Sequence, residues 1–81
     1  MLHCEQIRAA RALLQWRQED LAAAAGVGTA TIRRIEARNG PMEGTVATMR
    51  RIQEALERAS VVFLGPDDHG GVGVRFNKPS D

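Results

Sequence analysis

The stretch Gln18-Glu19-Asp20-Leu21-Ala22-Ala23-Ala24-Ala25-Gly26-Val27-Gly28-Thr29-Ala30-Thr31-Ile32-Arg33-Arg34-Ile35-Glu36 holds two short helical patterns separated by one glycine. Gln18 to Ala25 places Leu21, Ala22 and Ala25 on one side of a helix. Gly26 then breaks it, since glycine adopts the left-handed backbone that turns a chain sharply at a helix end. A second helix is expected from Thr29 to about Ala37, with Gly28 as a tolerable N-cap. Ala22 to Ala25 are all small, so the two helices can approach closely. This spacing predicts a helix-turn-helix.

At 100° per residue, the second helix turns Ile32, Ile35 and Glu36 to one side. Thr29, Ala30, Arg33, Arg34 and Ala37 fall on the other. A solvent face with two small residues at its start and two arginines in its middle can enter a major groove about 12 Å wide, where Arg bonds guanine O6 and N7. The bland alternative is a solvated basic face on a bundle helix.

Working outward, Ile7, Ala10 and Leu14 form a stripe that predicts a first helix over Glu5 to Gln15. Asn39-Gly40-Pro41 stops the third helix. A fourth is expected from Val46 to Ala59, capped by Thr45, with Met49, Ile52, Leu56 and Ala59 inward. The pattern then changes. Val61-Val62-Phe63-Leu64 is a β-type run, residues 65–71 are loop chemistry, and Val72, Val74 and Phe76 alternate with a period of two. The expectation is a mainly α fold. A four-helix DNA-binding domain spans residues 5–59, a short β-hairpin residues 60–76 and a flexible tail residues 77–81.

Glu36 is a carboxylate on an inward stripe, and Arg11 lies beside the apolar stripe of the first helix. A buried charge needs a partner, so a salt bridge between Arg11 and Glu36 is expected. The alternative is two independent exposed charges.

Composition fits this reading. The chain has 81 residues, room for one domain, and its hydrophobic fraction of 43% can fill a core. Up to Ser60 there are nine Arg against seven acidic residues, and Arg33, Arg34 and Arg38 fall within six positions. Arg makes bidentate contacts to phosphate and guanine that Lys does not, although a GC-rich genome also raises Arg usage. The single cysteine, Cys4, excludes an internal disulfide and fits a reducing compartment. No signal peptide and no membrane helix are expected, hence a cytoplasmic location.

Other candidate sites are weak. His3, Cys4 and His69 fit no zinc spacing, so neither metal nor cofactor is expected. Asp67, Asp68 and His69 read as solvated turn residues rather than an acid–base set. Gly70-Gly71-Val72-Gly73 precedes no helix and so is no phosphate loop. Trp16 reads as a core or helix-junction residue. Arg50, Glu54 and Arg58 read as a salt-bridged face. No enzymatic activity is expected.

Residues 6–59, about two thirds of the chain, resemble the lambda-repressor-like, or XRE, helix-turn-helix family. The resemblance rests on Ile7-Arg8-Ala9-Ala10-Arg11-Ala12-Leu13-Leu14, Trp16, Gln18-Glu19-Asp20-Leu21-Ala22, Gly26-Val27, Thr31-Ile32 and Ile35-Glu36. It implies that Gln18 touches a DNA phosphate and steadies the recognition helix. It implies base contacts from Thr29, Ala30 and Arg34, with Arg33 adjacent, and a salt bridge between Arg11 and Glu36. It also implies that Arg38, Asn39 and Gly40 follow the DNA backbone; Arg17 and Gly28, though they depart from the family pattern, are expected to contact it too. Arg17 departs from the usual capping Ser, Thr or Asn, which costs ~1 kcal/mol of helix stability and adds a charge that can meet phosphate. Ser60 stands where Gly often ends the fourth helix. The family often has a fifth helix, and here the hairpin replaces it.

The expected function is sequence-specific regulation of transcription by a homodimer on double-stranded DNA. Val61, Phe63, Val72, Val74 and Phe76 are expected to build the dimer interface, because an isolated hairpin is marginal and an exposed strand edge seeks a partner. The alternative places a protein partner on the hairpin, as in an antitoxin or antiactivator.

Overall fold

A computed structural model describes residues 2–78. Four helices, α1 (Cys4–Leu14), α2 (Gln18–Ala25), α3 (Thr29–Glu36) and α4 (Val46–Arg58), precede an antiparallel hairpin of β1 (Val61–Leu64) and β2 (Gly73–Phe76). The mainly helical class matches the expectation. α1 begins one residue earlier than expected because the backbone N–H of its N-cap, His3, donates to Gln6 Oε1 at 2.8 Å. It ends at Leu14 because Gln15 turns left-handed, with φ at 57°. α3 ends at Glu36, with Ala37 as its cap.

Ile7, Leu21, Ile32, Ile52 and Leu56, at least one from each helix, are fully buried at the centre. Each buried side chain of this size contributes about 1.5–3 kcal/mol to folding. Three further core residues lie outside the expected stripes: Cys4 at the start of α1, Ala55 on α4 and Met42 in the loop between α3 and α4. Met42 is drawn inward because its backbone N–H donates to Leu2 O at 2.8 Å, pairing the loop with the N-terminal segment. Burial pushes the Cys4 thiol pKa up.

Two charge patterns depart from expectation. Asp20 reaches back to the start of α2, its Oδ2 accepting the Arg17 backbone N–H at 2.8 Å, although Arg17 itself makes no side-chain cap. On α4, Arg58 does not pair with Glu54 among the described residues. Its Nη2 donates instead to the Ala24 carbonyl near the end of α2, at 3.2 Å, which satisfies a terminal helix carbonyl.

The hairpin folds back on its own helices, with β2 along α1 and β1 against α4. Val61 pairs with Phe76 and Phe63 with Val74, so these four side chains share one face. That face turns inward. Val61 is 2% exposed and belongs to the core, while Phe63 and Val74 pack partly against it. Gln6 fixes the far end of the hairpin, its Nε2 donating to Leu64 O at 3.1 Å and to Gly73 O at 2.9 Å. Val61, expected in a dimer interface, is covered by its own chain. Val72 precedes β2 rather than lying within it. Phe76 remains exposed, as does Leu64.

Candidate nucleic-acid interface

α2 and α3 pack together through the small side chains of α2, and Gly26 makes the corner with φ at 69°. Its N–H satisfies the α2 terminus by donating to Ala23 O at 3.4 Å. Gly28 then caps α3 with an extended backbone, φ at −74°.

α3 divides cleanly. Ile32, Ile35 and Glu36 are buried, whereas Ala30, Arg33 and Arg34 are exposed and Thr29 is half-buried. Among the described residues, neither the Arg33 nor the Arg34 side chain has an ion-pair or hydrogen-bond partner. Two unneutralised guanidinium groups thus project from a helix whose other side is fixed in the core.

The fixing is polar as well as apolar. Arg11 Nε donates to Glu36 Oε2 at 2.7 Å and Arg11 Nη2 to Oε1 at 2.6 Å. The third Arg11 donor group, Nη1, reaches Trp16 O at 2.9 Å. The hydrogen bond to Glu36 is the main cause of an Arg11 pKa raised above its ordinary value. Glu36 is almost fully buried, and Gln18 Nε2 adds a third bond to its Oε1 at 3.2 Å. Gln18 is therefore joined to the end of α3, which restrains that helix and turns one amide proton inward.

The loop after α3 carries Arg38 and Asn39, both exposed. Arg38 Nη1 pairs with Glu43 Oε2 across the loop. Arg8, quoted above only as part of a pattern, is the residue that the sequence left without a role. Its Nη1 donates to Glu36 O and Arg38 O, and its Nη2 to Asn39 Oδ1, all at 2.7 Å. Glu5, one turn before it on α1, accepts the Gly40 N–H at 2.8 Å. Accepting that bond holds the Glu5 carboxyl below its usual pKa. At the other end of the motif, Arg17 is exposed, 3.7 Å from Asp20.

A short buried-backed helix set at a glycine corner, with a free basic face, defines a helix-turn-helix module. The family model described as helix-turn-helix, HTH_3, matches residues 7–59, and the chain belongs to this lambda-repressor-like family of DNA-binding regulators. No curated protein matches the chain. Among the described residues, no group of His, Cys, Asp and Glu is placed to hold a metal ion, and no helix is long and apolar enough to cross a membrane.

Proposed function

We propose that this protein is a sequence-specific regulator of transcription that lays α3 in the major groove of double-stranded DNA. The observation that carries the reading is the pair of free guanidinium groups, Arg33 and Arg34, on a helix held by the core from behind. Thr29 and Ala30 meet the first bases, Ala30 offering a methyl contact to thymine, while Arg33 and Arg34 reach guanine edges. Arg17, Gln18, Gly28, Arg38 and Asn39 lie at the rims of the motif and meet phosphates, which position the helix without reading sequence. The remaining amide proton of Gln18 is the donor for that contact.

The test is affinity for duplex DNA as a function of salt. Each phosphate neutralised contributes roughly −0.9 to the slope of log affinity against log salt. A slope of several units supports the reading, and a flat dependence rejects it.

The protein acts as a homodimer in this proposal. Of the expected interface residues, Phe76 is exposed on the hairpin, and Phe63, Val72 and Val74 are partly so. A two-fold dimer would set two recognition helices about one DNA turn apart, ~34 Å, on an inverted repeat. Sedimentation of the full chain and of its Phe76→Ser variant tests this. A dimer that the substitution dissociates supports it, and a monomer at high concentration overturns it.

A further inference from the structure

We infer that Arg8 is a positioning residue for DNA binding, acting through the backbone of the loop that leaves α3; this rests on the DNA reading above. α3 is only 8 residues long and ends without a glycine cap. Its last carbonyls therefore need outside donors. Arg8 supplies them: one Nη1 bridges Glu36 O and Arg38 O, and Nη2 holds Asn39 Oδ1. A cation at a helix C-terminus also complements the helix dipole.

The same segment hangs from α1 and the residues just before it at further points. Cys4 N–H donates to Gly40 O, Gly40 N–H donates to Glu5 Oε1 and Met42 N–H donates to Leu2 O, each at 2.8 Å. Arg8 is the one side chain in this set that spans both the helix end and the loop. It fixes the direction in which Arg38 and Asn39 leave the recognition helix, and so the place where they meet the DNA backbone. The guanidinium fork matters more than its charge, because three acceptors in different directions need a planar multiple donor.

The experiment compares the full chain with Arg8→Lys, Arg8→Ala and Asn39→Ala for binding to a selected duplex and a random one across salt. Amide exchange at Asn39 and Gly40 is followed in parallel. Arg8→Lys and Arg8→Ala are expected to bind both duplexes about tenfold more weakly, with the ratio between duplexes unchanged within twofold. Their salt slope should shrink by roughly 0.9, one phosphate, and loop amides should exchange faster. Asn39→Ala, which removes the Arg8 Nη2 partner together with the phosphate contact proposed for Asn39 itself, should lose affinity in the same way, and its loop amides should exchange faster as well. Full rescue by Arg8→Lys would overturn the inference, since charge alone would then suffice. Unchanged slope and affinity in a folded Arg8→Ala protein would overturn it as well, as would unchanged loop-amide exchange in Asn39→Ala should Arg8→Ala not fold. If the unaltered chain bound no duplex, the DNA reading itself would fall, and this inference with it.

Discussion

Arg11 closes a two-bond fork on Glu36, with N···O distances of 2.7 and 2.6 Å, and so ties the middle of α1 to the last turn of α3. The Glu36 side chain is 4% exposed and that of Arg11 22%, so removing either partner strands a largely buried charge. Two-point recognition of a buried carboxylate sets both the rotation and the axial position of α3. Ile32 and Ile35 alone would leave more freedom.

Glu36→Ala is therefore expected to destabilise the protein by ~3–5 kcal/mol, because it leaves the Arg11 charge partly buried without a partner. Replacing Arg11 and Glu36 together by apolar residues of similar volume should cost less than Glu36→Ala alone. Denaturant unfolding of both variants measures the difference. A loss below about half a kcal/mol for Glu36→Ala would mark the bond as a weak surface pair.

Two glycines, two positions apart, should respond with opposite signs. Gly26 has φ at 69°, and Gly26→Ala forces a side chain into the left-handed region at a cost of about 1–2 kcal/mol. Gly28 has φ at −74°, and a Cβ there meets nothing within 4 Å. Gly28→Ser adds a capping hydroxyl and restricts the unfolded chain, so it should stabilise by about 0.5–1 kcal/mol. Thermal unfolding of the two variants gives the signs directly.

Glu5 predicts a contribution at the acid end. Its carboxyl is held below the ordinary range, first by the Gly40 N–H it accepts. A folded pKa below the unfolded one means stability that is present above the unfolded value, about 4.3. That stability fades as pH falls through the folded value. The melting temperature of the unaltered chain should therefore fall more steeply below about pH 5 than that of Glu5→Gln. Parallel curves would show that the bond has no energetic weight.

How much of this was legible in sequence follows from where each signal lies. The four helices show in apolar spacing and in Gly26, and Glu36 shows as a carboxylate on an apolar stripe. Met42 carries no such signal, since it is buried from a loop without periodicity. Arg8 is silent for another reason: its partners lie 28 to 31 residues away, and two are backbone carbonyls that any residue would provide. Alternation in the hairpin gives its apolar face but not the surface that face covers. The overlooked clue was Gln6, a polar residue that is 3% exposed on the inward side of α1, where it receives the hairpin's end.

Arg38 and Glu43 form an exposed pair, a kind worth under about 1 kcal/mol, so a phosphate can displace the carboxylate. Glu43→Gln should raise duplex affinity with an unchanged salt slope, because Arg38 meets the same phosphate without first leaving its carboxylate partner. Salt titration of this variant against Arg38→Gln/Glu43→Gln checks it, since the double variant should lose the gain and one phosphate, roughly 0.9, from the slope. An equal gain in both would mean that Glu43 acts only by repulsion from DNA.

The central claim is that the exposed face of α3 reads bases. Selection of bound sites from random duplexes, run in parallel on the full chain and Arg34→Ala, tests it most directly. The account predicts a defined site for the full chain, and for Arg34→Ala the same site with preference relaxed at one base pair by about 1–3 kcal/mol. Enrichment of no sequence by the full chain, or profiles for Arg34→Ala and Arg33→Ala that both match that of the full chain, would contradict it.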